Sequence, residues 1–113
     1  MTHRLLLVDD DPNLRLALRR VLEGFGVSVI LAGSASQALH LLEISSFDAV
    51  LSDYDLGSGS QTGVQLLRQV PEGLKRQLMT GNPDAVEEGW SGVTERIWCK
   101  PIEVTTIIAW LDS

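Results

Sequence analysis

Short apolar runs alternate along the chain with longer segments in which apolar residues recur at helical spacing. The apolar runs predict five strands, and their continuous apolar character is typical of parallel strands buried on both faces. The predicted strands cover residues 5–8, 27–31, 49–52, 77–79 and 95–99. These strands alternate with the helical segments between them, which is the pattern of an α/β protein.

The segments between these runs carry the spacing and the capping residues of helices. The first helix is predicted over about 12–23, with Asp11 as its N-cap and Pro12 in its first turn. Capping-box spacing opens the second helix at Ser34 and the third at Thr62. The core side of the first helix is expected to hold Leu14, Leu18, Val21 and Leu22. Its other side carries Arg15, Arg19 and Arg20, which we expect to be solvated, with a docking surface as the alternative.

Two further helices are predicted in the last third of the chain. Asn82-Pro83 repeats the signal of a cap followed by a proline, but Gly89, Ser91 and Gly92 weaken the helix that would follow. The closing helix has its apolar stripe at Val104, Ile107, Ile108 and Leu111. Trp110 lies off this stripe and is expected at an exposed contact surface.

Five strands alternating with five helices predict an α/β fold of the (βα)5 type, with a doubly wound parallel sheet. A strand order of 2-1-3-4-5 puts the topological switch point between the first and third strands. A chain of 113 residues is long enough for one modest core. We therefore expect residues 1–113 to form a single domain without an effector domain.

Composition and charge narrow the classes of function. The net charge of −6 argues against direct nucleic-acid binding, which favours a basic face. No segment has the length of a membrane span, and the first residues lack a signal-peptide pattern. The single cysteine, Cys99, cannot form an internal disulfide, and the chain has too few cysteines and histidines for a zinc site. We expect a cytoplasmic protein with neither nucleic acid nor membrane as its partner.

Polar residues of a distinctive kind follow four of the predicted strands. Asp9 and Asp10 follow the first strand, Asp53 the third, Thr80 the fourth and Lys100 the fifth. Ligands bind beyond the carboxyl ends of the strands in open α/β sheets, so these side chains are expected to form one site. Two adjacent carboxylates disfavour each other's charge unless a cation joins them. The pattern predicts a metal site.

Converging carboxylates suit a hard divalent cation such as Mg2+. This ion keeps several waters, so two carboxylates and one carbonyl are sufficient protein ligands. An aspartate beside it can attack a phosphoryl group and become an aspartyl phosphate. Lys100 would neutralise charge on the transferring group, and the Thr80 hydroxyl would bond a phosphoryl oxygen. Walker-type and dinucleotide-binding glycine motifs are absent from the sequence, so the donor is expected to bring its own phosphate.

Four motifs, in this order and at this spacing, resemble the receiver domain of two-component response regulators. They are Val8-Asp9-Asp10-Asp11-Pro12, Leu51-Ser52-Asp53, Met79-Thr80-Gly81 and Lys100-Pro101, and the resemblance covers essentially the whole chain. It implies a flavodoxin-like fold and a signalling domain rather than an enzyme. Such a domain catalyses its own phosphorylation and dephosphorylation at Asp53, with a sensor histidine kinase or a histidine phosphotransfer protein as the phosphoryl donor.

The resemblance also implies a role for each site residue. Mg2+ ligands would come from the family's acidic pair, of which Asp10 is the direct ligand, from the phosphorylated aspartate and from a backbone carbonyl two residues further on. These residues are Asp9, Asp10, Asp53 and Asp55. Thr80 matches the switch hydroxyl, and Lys100 matches the lysine that pairs with the phosphoryl group, commonly before a cis proline. The cognate kinase, the output and any homodimer stay open.

Two positions depart from the family pattern. The usual proline in the loop after the phosphorylated aspartate is Gly57 here, in a longer Gly/Ser loop. The aromatic residue that many receivers carry three residues before the lysine is Ile97, with Trp98 beside it. The coupling of the switch hydroxyl to an aromatic ring is therefore expected to differ. The stretch Asp53-Tyr54-Asp55-Leu56 is similar to receivers attached to hybrid sensor kinases.

Three other interpretations share parts of this pattern. A pseudo-receiver would keep the fold as a protein-binding module without phosphorylation. A phosphatase of the haloacid dehalogenase type would use Asp53-Tyr54-Asp55, but it needs a further acidic metal-binding motif after the lysine and leaves Asp9-Asp10 unexplained. An electron-carrying flavodoxin favours a hydroxyl- or glycine-rich first loop, where this chain has three acids.

Overall fold

A five-stranded parallel sheet forms the centre of the computed structural model, which describes residues 2–113. The strands are β1 (Arg4–Val8), β2 (Ser28–Ala32), β3 (Ala49–Asp53), β4 (Lys75–Thr80) and β5 (Ile97–Cys99). Their order is β2-β1-β3-β4-β5, which confirms the predicted order and the doubly wound α/β fold class. Because the four strand pairings are parallel, all the strands end at the same edge of the sheet.

Helices cover both faces of the sheet. The α-helices are α1 (Pro12–Gly24), α2 (Ala35–Ile44), α3 (Gly63–Arg68) and α4 (Val104–Asp112). Apolar residues of α2 and α3 pack in one buried cluster with Leu6, Val8 and Val50. Those of α1 and α4 pack in a second cluster with Leu5 and Leu51. Alternate strand residues thus face opposite helix layers, which is why the strands read as continuous apolar runs.

The prediction of a fourth helix, between β4 and β5, is wrong, whereas the predicted closing helix is present. Segment 83–92 contains two short 3-10 turns instead, Pro83–Ala85 and Trp90–Gly92. A glycine in a helix interior costs about 1 kcal/mol relative to alanine, and Gly89 has a φ of 88°, in the left-handed region. Val86 and Trp90 still pack against the first core cluster, so the turns cover the sheet as a helix would.

The predicted caps lie at the starts of their helices. The Asp11 carboxylate accepts from two backbone N–H groups of the first turn of α1. Thr62 and Gln65 form a complete capping box. The Ser34 hydroxyl accepts from Gln37 N at 3.1 Å, but the Gln37 side chain accepts from the residue before the cap, so only half of the predicted box forms there.

One aliphatic residue, Val21, and one aromatic residue, Trp110, differ from their predicted environments. Val21 is 45% exposed, because the core stripe of α1 follows the spacing of Leu18 and Leu22 and turns Val21 to its side. Trp110 is half-buried rather than exposed. Its ring meets that of Trp98 edge-on, with centroids 5.4 Å apart, so an aromatic partner on β5 covers the position outside the apolar stripe.

Candidate functional site

The register of the sheet brings four strand ends to one cleft. In this register Val8 pairs with Ser52, Asp53 with Met79, and Thr80 with Cys99. Asp53 and Thr80 are the last residues of their strands, and Asp9 and Lys100 follow theirs directly. Asp10 and Asp55 lie two residues beyond the ends of β1 and β3. A cleft of about 460 Å³ is lined by residues that include Asp53, Asp55, Thr80 and Lys100.

Three carboxylates converge at this edge. Single oxygens of Asp9, Asp10 and Asp53 all lie within 4.8 Å of one another. Asp9 is fully buried and Asp53 is 7% exposed, whereas Asp10 is exposed. Asp55 stands outside this carboxylate group, and its side chain accepts from Gly57 N at 3.1 Å, a bond that the family's usual proline could not donate. A set of oxygen donors this close together fits a hard divalent cation such as Mg2+.

Lys100 joins two of the three acids. Its Nζ donates to Asp9 Oδ2 at 2.8 Å and lies 3.0 Å from Asp53 Oδ2. The peptide bond between Lys100 and Pro101 is cis, as the resemblance implied. Three carboxylates and one ammonium leave two negative charges uncompensated, which favours the binding of a cation.

The environment raises the pKa of both partners. Burial raises the pKa of Asp53; the hydrogen bond and charge of Lys100 oppose this shift, and the charges of Asp9 and Asp10 add to it. Burial by itself lowers the pKa of Lys100, but the bonds to Asp9 and Asp53 outweigh it, and the net shift is upward. Lys100 is therefore a permanent cation beside an aspartate whose negative charge the folded site disfavours.

Thr80 closes the side of the cleft formed by β4. It is 5% exposed, and its hydroxyl oxygen accepts from Asn82 N at 3.1 Å. Its carbonyl accepts from Lys100 N at 2.8 Å, which ties the two residues together through the backbone. The hydroxyl hydrogen remains available to donate to an oxygen atom bound in the cleft.

The backbone of Asp53 is held by the start of α3. Gly63 N donates to Tyr54 O at 2.8 Å, and a Cβ at Gly63 would overlap the carbonyl oxygen of Asp53. The Ser52 hydroxyl donates to the same Asp53 oxygen at 2.9 Å. Only glycine permits this close approach, so the chain on both sides of Asp53 has a defined path.

The structure corrects the prediction for Arg15, which was expected in solvent. Arg15 is half-buried, and its Nη1 donates to the backbone carbonyl of Asp9 at 2.7 Å. Helical spacing gives only the side of the helix on which a residue lies. The signal that could have found this contact is the position of Arg15 one turn after the cap, since long helical side chains point back toward the N-terminus.

A second group of residues, missed in the sequence, ties segment 83–92 to the cleft. The Tyr54 hydroxyl accepts from Glu87 N at 3.2 Å, and the Thr62 hydroxyl donates to the Glu87 carboxylate at 2.5 Å. Tyr54 and Thr62 both line the cleft. These pairs are 33 and 25 residues apart in the sequence, and no periodic or capping signal links them.

Ile97, which departs from the family pattern, and its neighbour Trp98 lie on opposite faces of the sheet. Ile97 packs against the cluster of α2 and α3, whereas Trp98 packs against the cluster of α1 and α4. Because side chains alternate along a strand, Trp98 does not occupy the place of the family's aromatic residue. The side of the cleft near segment 83–92 therefore has an aliphatic residue at that position.

Comparison of the sequence with known families and proteins gives one consistent result. The family described as "Response regulator receiver domain" matches residues 5–111. The chain is 33% identical to the transcriptional regulatory protein GlrR of Escherichia coli (strain K12) over 122 residues, which cover 100% of this chain and 27% of that protein. It is 33% identical to the DNA-binding response regulator MtrA of Mycolicibacterium smegmatis over 87 residues, which cover 77% of this chain and 38% of that protein. The chain thus spans well under half the length of these curated relatives.

Solved structures agree with the fold. A receiver domain protein from Methanospirillum hungatei JF-1 superposes with a TM-score of 0.87 at 24% identity, covering 99% of this chain and 92% of that one. The signal receiver domain of an HD domain-containing protein from Pseudomonas fluorescens Pf-5 gives 0.83 at 28% identity, covering 99% and 93%. The response regulator TrrA of Thermotoga maritima, in complex with Mg2+-BeF, gives 0.84 at 21% identity, covering 97% and 96%.

The family match decides against the haloacid dehalogenase and flavodoxin interpretations. Across residues 2–113, none of the helices combines the length and the apolar character needed to cross a membrane. The fold, the strand order and the matched residues 5–111 all lead to the same assignment. This chain belongs to the response regulator receiver domain family, the signalling domains of two-component systems.

Proposed function

We propose that Asp53 is the phosphoacceptor of a two-component phosphorelay. The observation that carries this proposal is the bridge from Lys100 to Asp9 and Asp53 at the centre of the carboxylate cluster. Membership of the receiver family supports it. The phosphoryl donor is a phosphohistidine on a sensor histidine kinase or a histidine phosphotransfer protein.

The transfer forms one bond and breaks another. A carboxylate oxygen of Asp53 attacks the phosphorus of the phosphohistidine, and the P–N bond breaks with its electron pair going to the imidazole nitrogen. Lys100 compensates negative charge on the phosphoryl oxygens, and Thr80 donates its hydroxyl hydrogen to one of them. In dephosphorylation a water oxygen attacks the phosphorus, the bond to Asp53 breaks, and inorganic phosphate leaves.

Mg2+ is the proposed cofactor, and it supplies positive charge against the phosphoryl oxygens when bound. Asp10, Asp53 and the backbone carbonyl of Asp55 are the proposed direct ligands. Asp9 completes the acidic set and holds Lys100 through its buried carboxylate. The Mg2+-BeF complex of TrrA supports this choice of ion.

The output of this domain is proposed to be a protein contact that changes on phosphorylation. Thr80 lies between Asp53 and segment 83–92, so a hydroxyl drawn toward a phosphoryl group would alter the start of that segment. GlrR is named a transcriptional regulatory protein and MtrA a DNA-binding response regulator, but the net charge of −6 supports protein contact for this chain. An exposed, unpaired Cys99 supports a cytoplasmic location.

Intact-mass measurement tests the assignment of Asp53. The full chain is incubated with acetyl phosphate, a small phosphoryl donor, with and without Mg2+. We expect a Mg2+-dependent gain of one phosphoryl group in the wild type and in Asp84→Asn, which changes an exposed acid outside the cluster. We expect no gain in Asp53→Asn, because its amide is a poor nucleophile.

Beryllofluoride, a stable mimic of the phosphoryl group, separates a short-lived phosphate from no phosphorylation. A wild type that binds Mg2+ and beryllofluoride without a stable adduct would have a phosphate too brief to detect. A folded wild type that binds neither acetyl phosphate nor beryllofluoride would be a pseudo-receiver, and the proposal would be wrong. Phosphorylation of Asp53→Asn at the wild-type level would move the acceptor to another residue.

A further inference from the structure

Arg15 holds the peptide bond that joins the two adjacent acids. Its Nη1 donates to Asp9 O at 2.7 Å. That oxygen belongs to the peptide unit between Asp9 and Asp10, and a planar peptide unit moves as one body. Fixing the oxygen therefore fixes the direction in which the chain enters Asp10.

Gly33 forms the surface against which Arg15 lies. A Cβ at Gly33 would be 2.6 Å from Arg15 Nη1 and 3.3 Å from Cζ, so the guanidinium fills the space that any side chain at this position would take. Gly33 N donates to Gln37 Oε1 at 2.7 Å, which anchors this turn to α2. Asp9 N donates to Ala32 O at 3.1 Å, which anchors β1 beside it.

The two acids depend on this contact to different degrees. The Asp9 carboxylate is already fixed by Asp11 N at 2.9 Å and by Lys100 Nζ at 2.8 Å. The Asp10 carboxylate is exposed, yet it converges with Asp9 and Asp53. Its position is therefore set chiefly by the backbone that Arg15 holds.

We propose that Arg15 and Gly33 form a positioning pair for the divalent-cation site, in which Arg15 orients Asp10 without contacting the cation or the phosphoryl group. The inference rests on the proposed Mg2+ site. Loss of a group that orients a metal ligand typically costs 10- to 100-fold in metal affinity. If Arg15 acted only through its positive charge, its removal would instead tighten Mg2+ binding, because one cation near the site would be gone.

Isothermal titration calorimetry of the full chain with Mg2+ alone shows whether loss of Arg15 weakens or tightens Mg2+ binding. We expect Arg15→Ala to raise the Mg2+ dissociation constant about tenfold. Arg20→Ala is the matched control, because it removes the same charge from an exposed position of α1, and its dissociation constant should stay within about twofold. Gly33→Ala keeps the Arg15 charge but displaces the guanidinium, so it should also weaken binding.

The double variant tests whether the two residues act as a pair. Gly33→Ala should weaken Mg2+ binding in the wild-type background and add nothing in the Arg15→Ala background, because the displaced group is already gone. Equal losses in both backgrounds would overturn the pairing. Circular dichroism without Mg2+ establishes that each variant is folded.

Phosphorylation by acetyl phosphate gives a second measurement. The Mg2+ concentration for half-maximal rate should rise about tenfold in Arg15→Ala, while the rate at saturating Mg2+ stays within about twofold of wild type. Equal or tighter Mg2+ binding by Arg15→Ala overturns this inference and leaves the proposed function intact. Absence of Mg2+ binding by the wild type overturns both.

Discussion

The two sides of the cleft are built in different ways. On the side of β1 and β3, buried strands end directly at the acids, and the fully buried Asp9 is fixed at its carbonyl and at both carboxylate oxygens. On the side of β4 and β5, two 3-10 turns stand where a helix was predicted, and Glu87 ties them to Tyr54 and Thr62. The first side orients the acids of the proposed site, and the second is tied to the cleft through Glu87.

This contrast follows from what each side is proposed to do. Reacting groups and their ligands need positions held within fractions of an ångström, which strand ends and short buried bonds provide. Segments that change on signalling come from the parts of a fold with low local stability. The family's acid, hydroxyl and lysine positions are all present, whereas Ile97 and the missing helix lie on the second side. The departures at Ile97 and in segment 83–92 therefore concern the proposed output more than the proposed acceptor, whereas Gly57 lies beside Asp55.

Lys100 follows β5 but bridges to the acids of the first side, so Lys100→Ala should disturb that side and have the largest effect. It leaves the buried Asp9 carboxylate without its cation, beside Asp10 and Asp53. We expect a loss of about 2–3 kcal/mol in the free energy of unfolding without Mg2+, measured by urea titration. The loss should shrink in saturating Mg2+, because the bound ion replaces part of the missing positive charge.

Arg20→Ala is the control for Lys100→Ala, since it removes one positive charge from an exposed site. We expect it to change the unfolding free energy by less than about 0.5 kcal/mol. If Lys100→Ala were equally mild without Mg2+, the three carboxylates would not depend on Lys100. The conclusion that several bonds together fix the acids of the first side would then be wrong.

The first side was also the more predictable one. Its acids follow strands that the sequence marks, as at Asp9 and Asp53, so topology alone brings them together. Arg15 was missed because periodicity assigns a face of the helix and says nothing of how far a long side chain reaches. Val21 shows the same limit, since its exposure depends on how the helix is rotated on the sheet.

Asp53→Asn should stabilise the first side without Mg2+. The site disfavours the charged form of Asp53, because burial raises its pKa and Lys100 compensates only in part. The neutral amide removes this penalty, and we expect the unfolding free energy to rise by on the order of 1 kcal/mol at neutral pH. A lower stability than wild type would mean that the ion pair with Lys100 outweighs the burial of the charge.

The pH dependence of this difference has a definite sign. Since the folded pKa of Asp53 lies above the ordinary value of 3.8, the folded state takes up a proton before the unfolded state as the pH falls. The free-energy cost of burying the Asp53 charge in the wild type is therefore full above the folded pKa, and it disappears as the pH falls toward 3.8. Urea titrations between about pH 8 and pH 4 should show the advantage of Asp53→Asn shrinking with acidity. A constant difference would contradict the raised pKa.

The second side was less predictable for a physical reason. Glycine content weakened the predicted helix, but it could not specify which turns would replace it. The segment is held through the backbone N–H and the carboxylate of Glu87, which bond the Tyr54 phenol and the Thr62 hydroxyl. These partners are distant in the sequence, and only the folded sheet brings them to Glu87. Trp98 and Trp110 show the same dependence, since their contact joins β5 to α4.

Tyr54→Phe should loosen the second side alone and has the smallest expected effect. It keeps the half-buried ring packed against the first core cluster but removes the acceptor of Glu87 N–H, and one such bond contributes about 0.5–1.5 kcal/mol. We expect hydrogen exchange at the Glu87 amide to become about 2- to 10-fold faster by NMR, while exchange at the Asp9 amide, which donates to Ala32 O, stays unchanged and serves as the internal control. Equal acceleration at both amides would show that the two sides open together, because the tether would then support the whole fold. An unchanged Glu87 amide would show that Thr62 holds the segment without Tyr54.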